Sequence, residues 1–180
     1  MRGDVRGFSA VELLVVLATL AVLATACMVL QRPSEVLPVE LAAQRLAAEI
    51  ERAREQAVAT DGEALIAVRP DGHYAARVGA PGTLSLGATP ADEWQELPDG
   101  LVWGGGTAAR DPLGQPVGAL PAQVFCGADG GCSPPAPAAV YLLRSGREAQ
   151  RVAAVTLDAS GAVQAWRWEM GASTWKPLAR

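Results

Sequence analysis

His73 is the single histidine in 180 residues, and it directly follows Arg69-Pro70-Asp71-Gly72. A Ser-His-Asp or Cys-His device would rest on that one imidazole beside a turn, so His73 reads as an exposed strand residue. Asp92, Glu93, Glu96 and Asp99 bring four carboxylates close together in sequence. They lack the alternating oxygen-ligand spacing that holds calcium, and read as surface acidity. Gly104-Gly105-Gly106 is followed by no Lys-Ser or Lys-Thr pair and opens no helix, which removes a phosphate-cradling loop. Cys126 and Cys132 bracket Gly-Ala-Asp-Gly-Gly, with one distant histidine and Cys27 far away, so the pair is not a zinc site. In an oxidising compartment a disulfide between Cys126 and Cys132 would staple a flexible loop whose closure costs little entropy. The chain carries no catalytic constellation, and no enzyme activity, metal or cofactor is expected.

Glu12 is the side chain whose position asks for an explanation. Met1 to Gly7 is polar and contains Arg2 and Arg6, whereas Leu13 to Leu30 is free of charge. As a helix rising roughly 1.5 Å per residue, the stretch from Phe8 to Leu30 is long enough to span a hydrocarbon core of about 30 Å. The two arginines keep the leader cytoplasmic and place everything after Leu30 outside. A carboxylate costs roughly 3 kcal/mol at the centre of such a helix and less near its end. Two readings of Glu12 stand side by side. It lies at headgroup level and favours the helix N-terminus through the dipole, or it meets a cation at membrane depth, which a newly freed α-amino group would supply.

The string Arg6-Gly7-Phe8-Ser9-Ala10-Val11-Glu12-Leu13-Leu14-Val15-Val16 closely resembles the leader junction of type IV prepilins. The resemblance implies cleavage between Gly7 and Phe8 by a membrane-embedded aspartic prepilin peptidase and N-methylation of Phe8. Glu12 becomes the fifth mature residue, which in that family pairs with the terminal ammonium of a neighbouring subunit during assembly. Two other segments compete for the same stretch. Ala24-Thr25-Ala26 offers a small-x-small signal-peptidase site, and Cys27 could be a lipidated cysteine, although Ala24 stands where lipoproteins carry a larger apolar residue. Neither explains Glu12 beside a Gly-Phe junction, and Cys27 reads as a small apolar residue in a packed helix.

The elements after the apolar stretch follow from periodicity. Residues 31–38 contain Pro33 and Pro38, which disfavour helix and mark a break. From Val39 to about Thr60 apolar or small residues recur at Val39, Ala43, Leu46, Ile50, Ala53 and Ala57, a narrow helical stripe suited to packing on a sheet. Arg45 with Glu49, and Glu51 with Arg54, read as helical ion pairs on the opposite face, and Asp61-Gly62 ends the helix. Strand patterns follow at Ala64 to Val68 and Tyr74 to Val78 around the Arg69–Gly72 turn. Leu84-Ser85-Leu86 and Leu101-Val102-Trp103 are shorter candidates. Gly104 to Ala122 reads as a long surface loop. Val140 to Leu143, Arg151 to Leu157 and Ala162 to Trp168 are firmer strands, with a turn at Asp158-Ala159-Ser160-Gly161. Trp166 and Trp168 share one strand face, as core or sheet cover. The expected fold is α+β and pilin-like: a long N-terminal helix, half transmembrane and half amphipathic, packed on an antiparallel β-rich domain at 62–180.

The stretch Ala53-Arg54-Glu55-Gln56-Ala57-Val58, with Gly62 and the strand after it, resembles the Ala-Arg-x-x-Ala helix end of the GspH/FimT group of minor pilins. Ser145-Gly146, Val155-Thr156-Leu157 and Ser160-Gly161 resemble the C-terminal half of that group, whereas Pro81 to Pro137 matches no part of it. The resemblance implies a minor pseudopilin of a type II secretion system, a structural filament subunit anchored once in the bacterial inner membrane with its domain in the periplasm. Its partners would be other pilin or pseudopilin subunits, the prepilin peptidase during processing, and secreted proteins at the filament tip. The alternatives are a FimT/FimU-like minor pilin in pilus assembly or DNA uptake, and an unrelated anchored protein or lipoprotein. A formal charge of −4 argues against polyanion binding by the chain as a whole. The basic residues Arg144, Arg147 and Arg151 are interleaved with Glu148 rather than clustered, which weighs against DNA.

Overall fold

The computed structural model describes residues 37–98, 100–117, 123–133, 138–146, 151–158 and 160–179, with Thr19 alone before them. The leader 1–7, the Gly7-Phe8 junction, Glu12, Cys27 and, Thr19 apart, the apolar stretch 8–30 lie outside the described residues, as do Asp99, Arg147 and Glu148. Among the described residues no helix is long and apolar enough to cross a membrane.

Helix α1 runs Leu37–Ala59. It therefore takes in the last two residues of the expected proline break. Pro38 is tolerated there because the first turn of a helix has no intrahelical use for its N–H. All six residues of the predicted stripe are buried, Val39, Ala43, Leu46, Ile50, Ala53 and Ala57 each 6% exposed or less. The helix stops where Asp61 turns left-handed at φ 53°, and Gly62 donates back to the Ala57 carbonyl at 2.8 Å. Gly62 is needed for space, since a Cβ there would lie 2.8 Å from the Gly79 carbonyl oxygen.

Among the described residues ten strands follow: β1 (Glu63–Val68), β2 (His73–Gly79), β3 (Gln95–Glu96), β4 (Leu101–Trp103), β5 (Gln123–Cys126), β6 (Cys132–Ser133), β7 (Ala138–Arg144), β8 (Val152–Leu157), β9 (Val163–Glu169) and β10 (Thr174–Pro177). They form two antiparallel sheets, ordered β3-β2-β1-β5-β6 and β10-β9-β8-β7-β4. The helix packs on both sheets, against β1 and β2 of the first and β7, β8 and β9 of the second. The α+β class read from the sequence is the class that forms. Leu46 and Ile50, at 1% and 2% exposure, contribute about 1.5–3 kcal/mol each through burial.

One expectation is corrected, and two segments gain detail. Leu84-Ser85-Leu86 is not a strand, because Leu86–Ala88 forms a 3-10 turn in which Thr89 donates to the Leu86 carbonyl at 3.3 Å. The middle segment, which had no recognisable counterpart, supplies β3 to β6, and β5 pairs with β1 in the first sheet. Residues 104–117 are the described part of the expected loop, and it is tied down. Arg110 bridges Pro116, Asp111 accepts from the Leu113 and Gln115 amides at 2.9 and 2.7 Å, and Val117 packs on the outer face of the second sheet.

Among the described residues every sheet edge is short: β3 and β6 have two residues each, β4 has three, and β10 has four, including Lys176 and Pro177.

Candidate functional site

The described chain offers four places where polar groups or apolar surface converge. At one end of the helix, Arg54 reaches across to the turn between β8 and β9, donating to the Ser160 carbonyl at 3.4 Å and to the Gly161 carbonyl. The tertiary fold presents two backbone carbonyls to the guanidinium, and a planar fork of donors suits them. Asp158 organises the same turn, accepting from the Ser160 amide, the Ser160 hydroxyl and the Ala162 amide at 2.8, 2.6 and 2.9 Å. These bonds, Ser160 foremost, together with the Arg54 charge hold its carboxyl below the usual carboxylate range.

The second place is the hairpin of β5 and β6. Cys126 and Cys132 lie directly opposite in the ladder and are joined by a disulfide, Cα to Cα 4.0 Å. The third lies where α1 meets β2 and β4. Here the Tyr74 hydroxyl donates to Gln95 at 3.0 Å, and its ring meets Trp103 edge-on at 6.4 Å. Burial, and then the Glu49 carboxylate, push the Tyr74 hydroxyl up to about 12. Glu49, expected on a solvated face with Arg45, is instead half-buried and acts on Tyr74.

The fourth is a groove of about 340 Å³ between Gln44, Ala47 and Ala48 of α1 and Ala165 of β9, closed by Leu178 and Ala179. Gln44 donates to the Ala179 carbonyl at 2.7 Å. An apolar floor with carboxamide rims suits burial rather than bond-making, because the groove holds no nucleophile beside a base.

The other sequence candidates are scattered. His73 opens β2 opposite Glu96, its Nδ1 3.1 Å from Asp71. Glu93 is occupied by Arg77, and Asp92 lies in the short helical turn Ala91–Glu93. Gly104-Gly105-Gly106 leads out of β4, where Gly104 donates to the Tyr141 carbonyl at 2.9 Å. Among the described residues no group of three or more metal-ligating side chains comes together. Two of the basic residues of the C-terminal stretch, Arg167 and Lys176, lie beside carboxylates. Arg167 lies 3.9 Å from Glu40 and 3.7 Å from Glu169, and Lys176 is 2.8 Å from Glu169. Trp166 and Trp168 do share the outer face of the second sheet, packed with Tyr141 and Trp175. The carbonyl partners of Arg54 were not legible beforehand. The paired signals, an Ala-Arg-x-x-Ala helix end and a later Ser-Gly turn, were both in view.

No protein-family model matches the chain, and no curated protein matches it. Among solved structures it is similar to the type IV minor pilin FimU of Pseudomonas aeruginosa, at 16% identity over 78% of this chain and 92% of that one, with a TM-score of 0.49. It is also similar to the minor pseudopilin EpsH from the type 2 secretion system of Vibrio cholerae, at 12% identity over 71% and 95%, with a TM-score of 0.49. A second crystal form of FimU gives 17% identity and a TM-score of 0.46. These structural neighbours are minor pilins and a minor pseudopilin. The likeness is one of fold.

Proposed function

We propose that this chain is a minor pilin-type subunit, GspH-like, that assembles into the periplasmic pseudopilus of a type II secretion system. The observation that carries the reading is Glu12, a carboxylate four residues after Phe8 at the mouth of an uncharged stretch ending at Leu30. The prepilin peptidase cuts after Gly7 and methylates Phe8. The apolar segment anchors the subunit in the inner membrane, and the domain beyond it stands in the periplasm. In the filament the apolar segments bundle, and Glu12 of one subunit neutralises the Phe8 ammonium of the next. A buried charge left unpaired costs several kcal/mol, so the pair enforces register.

The folded unit supports this reading in two ways. Helix α1 buries one stripe in its own sheets and leaves Leu41 and Val58 exposed at 40% and 48%, so the helix keeps apolar surface for neighbours. Arg167 and Lys176 are both engaged with Glu169, so these two cations do not stand free for a polyanion, which favours a secretion filament over DNA uptake.

The test is the N-terminal mass of native protein together with a Glu12→Ala variant. Mature protein should begin at methylated Phe8. The variant should be processed and inserted normally yet be missing from sheared or cross-linked filaments. A mature chain starting at lipidated Cys27 or at intact Met1, or normal assembly of the variant, would overturn the reading.

A further inference from the structure

Three segments distant in sequence meet at the C-terminal end of α1. They are the helix itself at Arg54 and Val58, the turn between β8 and β9 at Ser160 and Gly161, and the tip of the disulfide loop at Gly130. Gly161 is buried and left-handed at φ +81°, and a Cβ placed on it would collide with the Gly130 carbonyl and the Arg54 guanidinium. Gly130 in turn stands beside Val58, whose methyl would be 3.9 Å from a Cβ at Gly130. The loop tip belongs to the first sheet, the turn to the second, and Arg54 to the helix that covers both. Arg54 Nε is buried without a hydrogen-bond partner among the described residues, and Nη1 donates to the two turn carbonyls.

What holds the loop tip there is slight apart from the disulfide. The ladder of β5 and β6 contains two residue pairs, Phe125 with Ser133 and Cys126 with Cys132. Three of the five residues between the cysteines are glycine, which lose more conformational freedom on ordering than any other residue. Inside the loop the Gly127 amide donates to Gly131 and the Gly130 amide to Gly127, each at 2.9 Å. A two-residue ladder closed by a glycine-rich loop is not stable by itself in water.

We propose that the Cys126–Cys132 bond is a redox-sensitive latch. With the bond intact, Gly130 holds the β8–β9 turn against Arg54, and reduction releases the turn and the end of α1 together. Two-electron reduction breaks the Sγ–Sγ bond and adds a proton to each sulfur, while a small dithiol supplies both electrons and leaves as its own cyclic disulfide. The latch concerns the folded unit alone, so its failure leaves the filament reading untouched.

The experiment is amide hydrogen exchange on the full chain in detergent, before and after dithiothreitol. The reporting amides are Gly161 and Ala162 in the turn, with Thr60 and Gly62 at the helix end, all bonded in the oxidised form. Reduction should speed exchange at both sites by about tenfold or more, as expected when a local opening becomes easier, while amides of β1 and β8 keep their rates. The double variant Cys126→Ser/Cys132→Ser should match the reduced wild type. Arg54→Met should exchange fast at the turn even when oxidised, and reduction should add nothing further. Loosening confined to residues 127–131, or spread evenly through β1 and β8, overturns the proposal, as does an Arg54→Met turn that still responds to reduction.

Discussion

The two faces of the second sheet solve the same burial problem with different materials. The inner face, under the helix, is small and aliphatic: Ala153, Val155, Leu157, Val163 and Ala165 sit in the main core with Leu46 and Ile50. Among the described residues the outer face has no helix over it and relies on aromatic mass. Tyr141 is 3% exposed, Trp168 and Trp175 have ring centroids 5.2 Å apart, and Tyr141 and Trp175 are 6.4 Å apart. Polar ends anchor the rings there, with Trp166 Nε1 donating to Thr156 at 2.9 Å and Trp175 Nε1 to the Arg110 carbonyl at 2.7 Å. A regular element can close a surface with interlocking methyl groups. An irregular one, such as residues 104–117, needs large side chains and hydrogen bonds to do it.

Breaking the inner face should cost most. Leu46→Ala leaves a cavity between α1 and both sheets and should lower unfolding free energy by about 2–5 kcal/mol in urea denaturation. Trp175→Ala on the outer face should cost less, about 1–2 kcal/mol, because the ring is only half-buried and the site can relax. Its mark should be local, with faster exchange of the Leu113 and Gln115 amides that depend on Asp111. Equal losses from the two variants would remove the distinction between the faces.

A smaller effect depends on pH and is alike for the outer face and the core. Burial first, and then the Asp111 carboxylate, push the Tyr141 hydroxyl up to about 12, as burial and Glu49 do for Tyr74 on the inner side. The unfolded chain releases these protons near 10, whereas the folded chain retains them to about 12. Their contribution is therefore fully present below pH 10 and is lost as pH rises toward 12. Tyr141→Phe should flatten part of that alkaline decline, and Tyr74→Phe the remainder. Unchanged slopes in denaturation curves between pH 9 and 12 would show the hydroxyls to be solvated.

Which elements could be read from the sequence follows from how each is stabilised. The stripe from Val39 to Ala57 was legible because period alone decides which side of a helix is buried. The runs at 64–68 and 140–143 were legible because they are apolar and bounded by turn residues. Strand β10 was not, because Thr-Trp-Lys-Pro on an edge has no alternation to show, and β5 was hidden between glycine- and proline-rich segments. Leu84 and Leu86 alternate like a strand, but the 3-10 turn at Leu86–Ala88 claims that backbone. Arg54 was visible as part of a motif, while its partners exist only once the turn at Ser160 has been folded against it. Glu12 and the Gly7-Phe8 junction rest on residue type and spacing alone and lie outside the described residues.

The brevity of the outermost strands has a bearing on crowding. Sheet margins two to four residues long, one ending in lysine and proline, offer too few unpaired amides to seed growth by another chain's backbone. Copies of this domain can therefore be crowded together without joining through their sheet margins. Contacts between them must be made by side chains, and so can be undone.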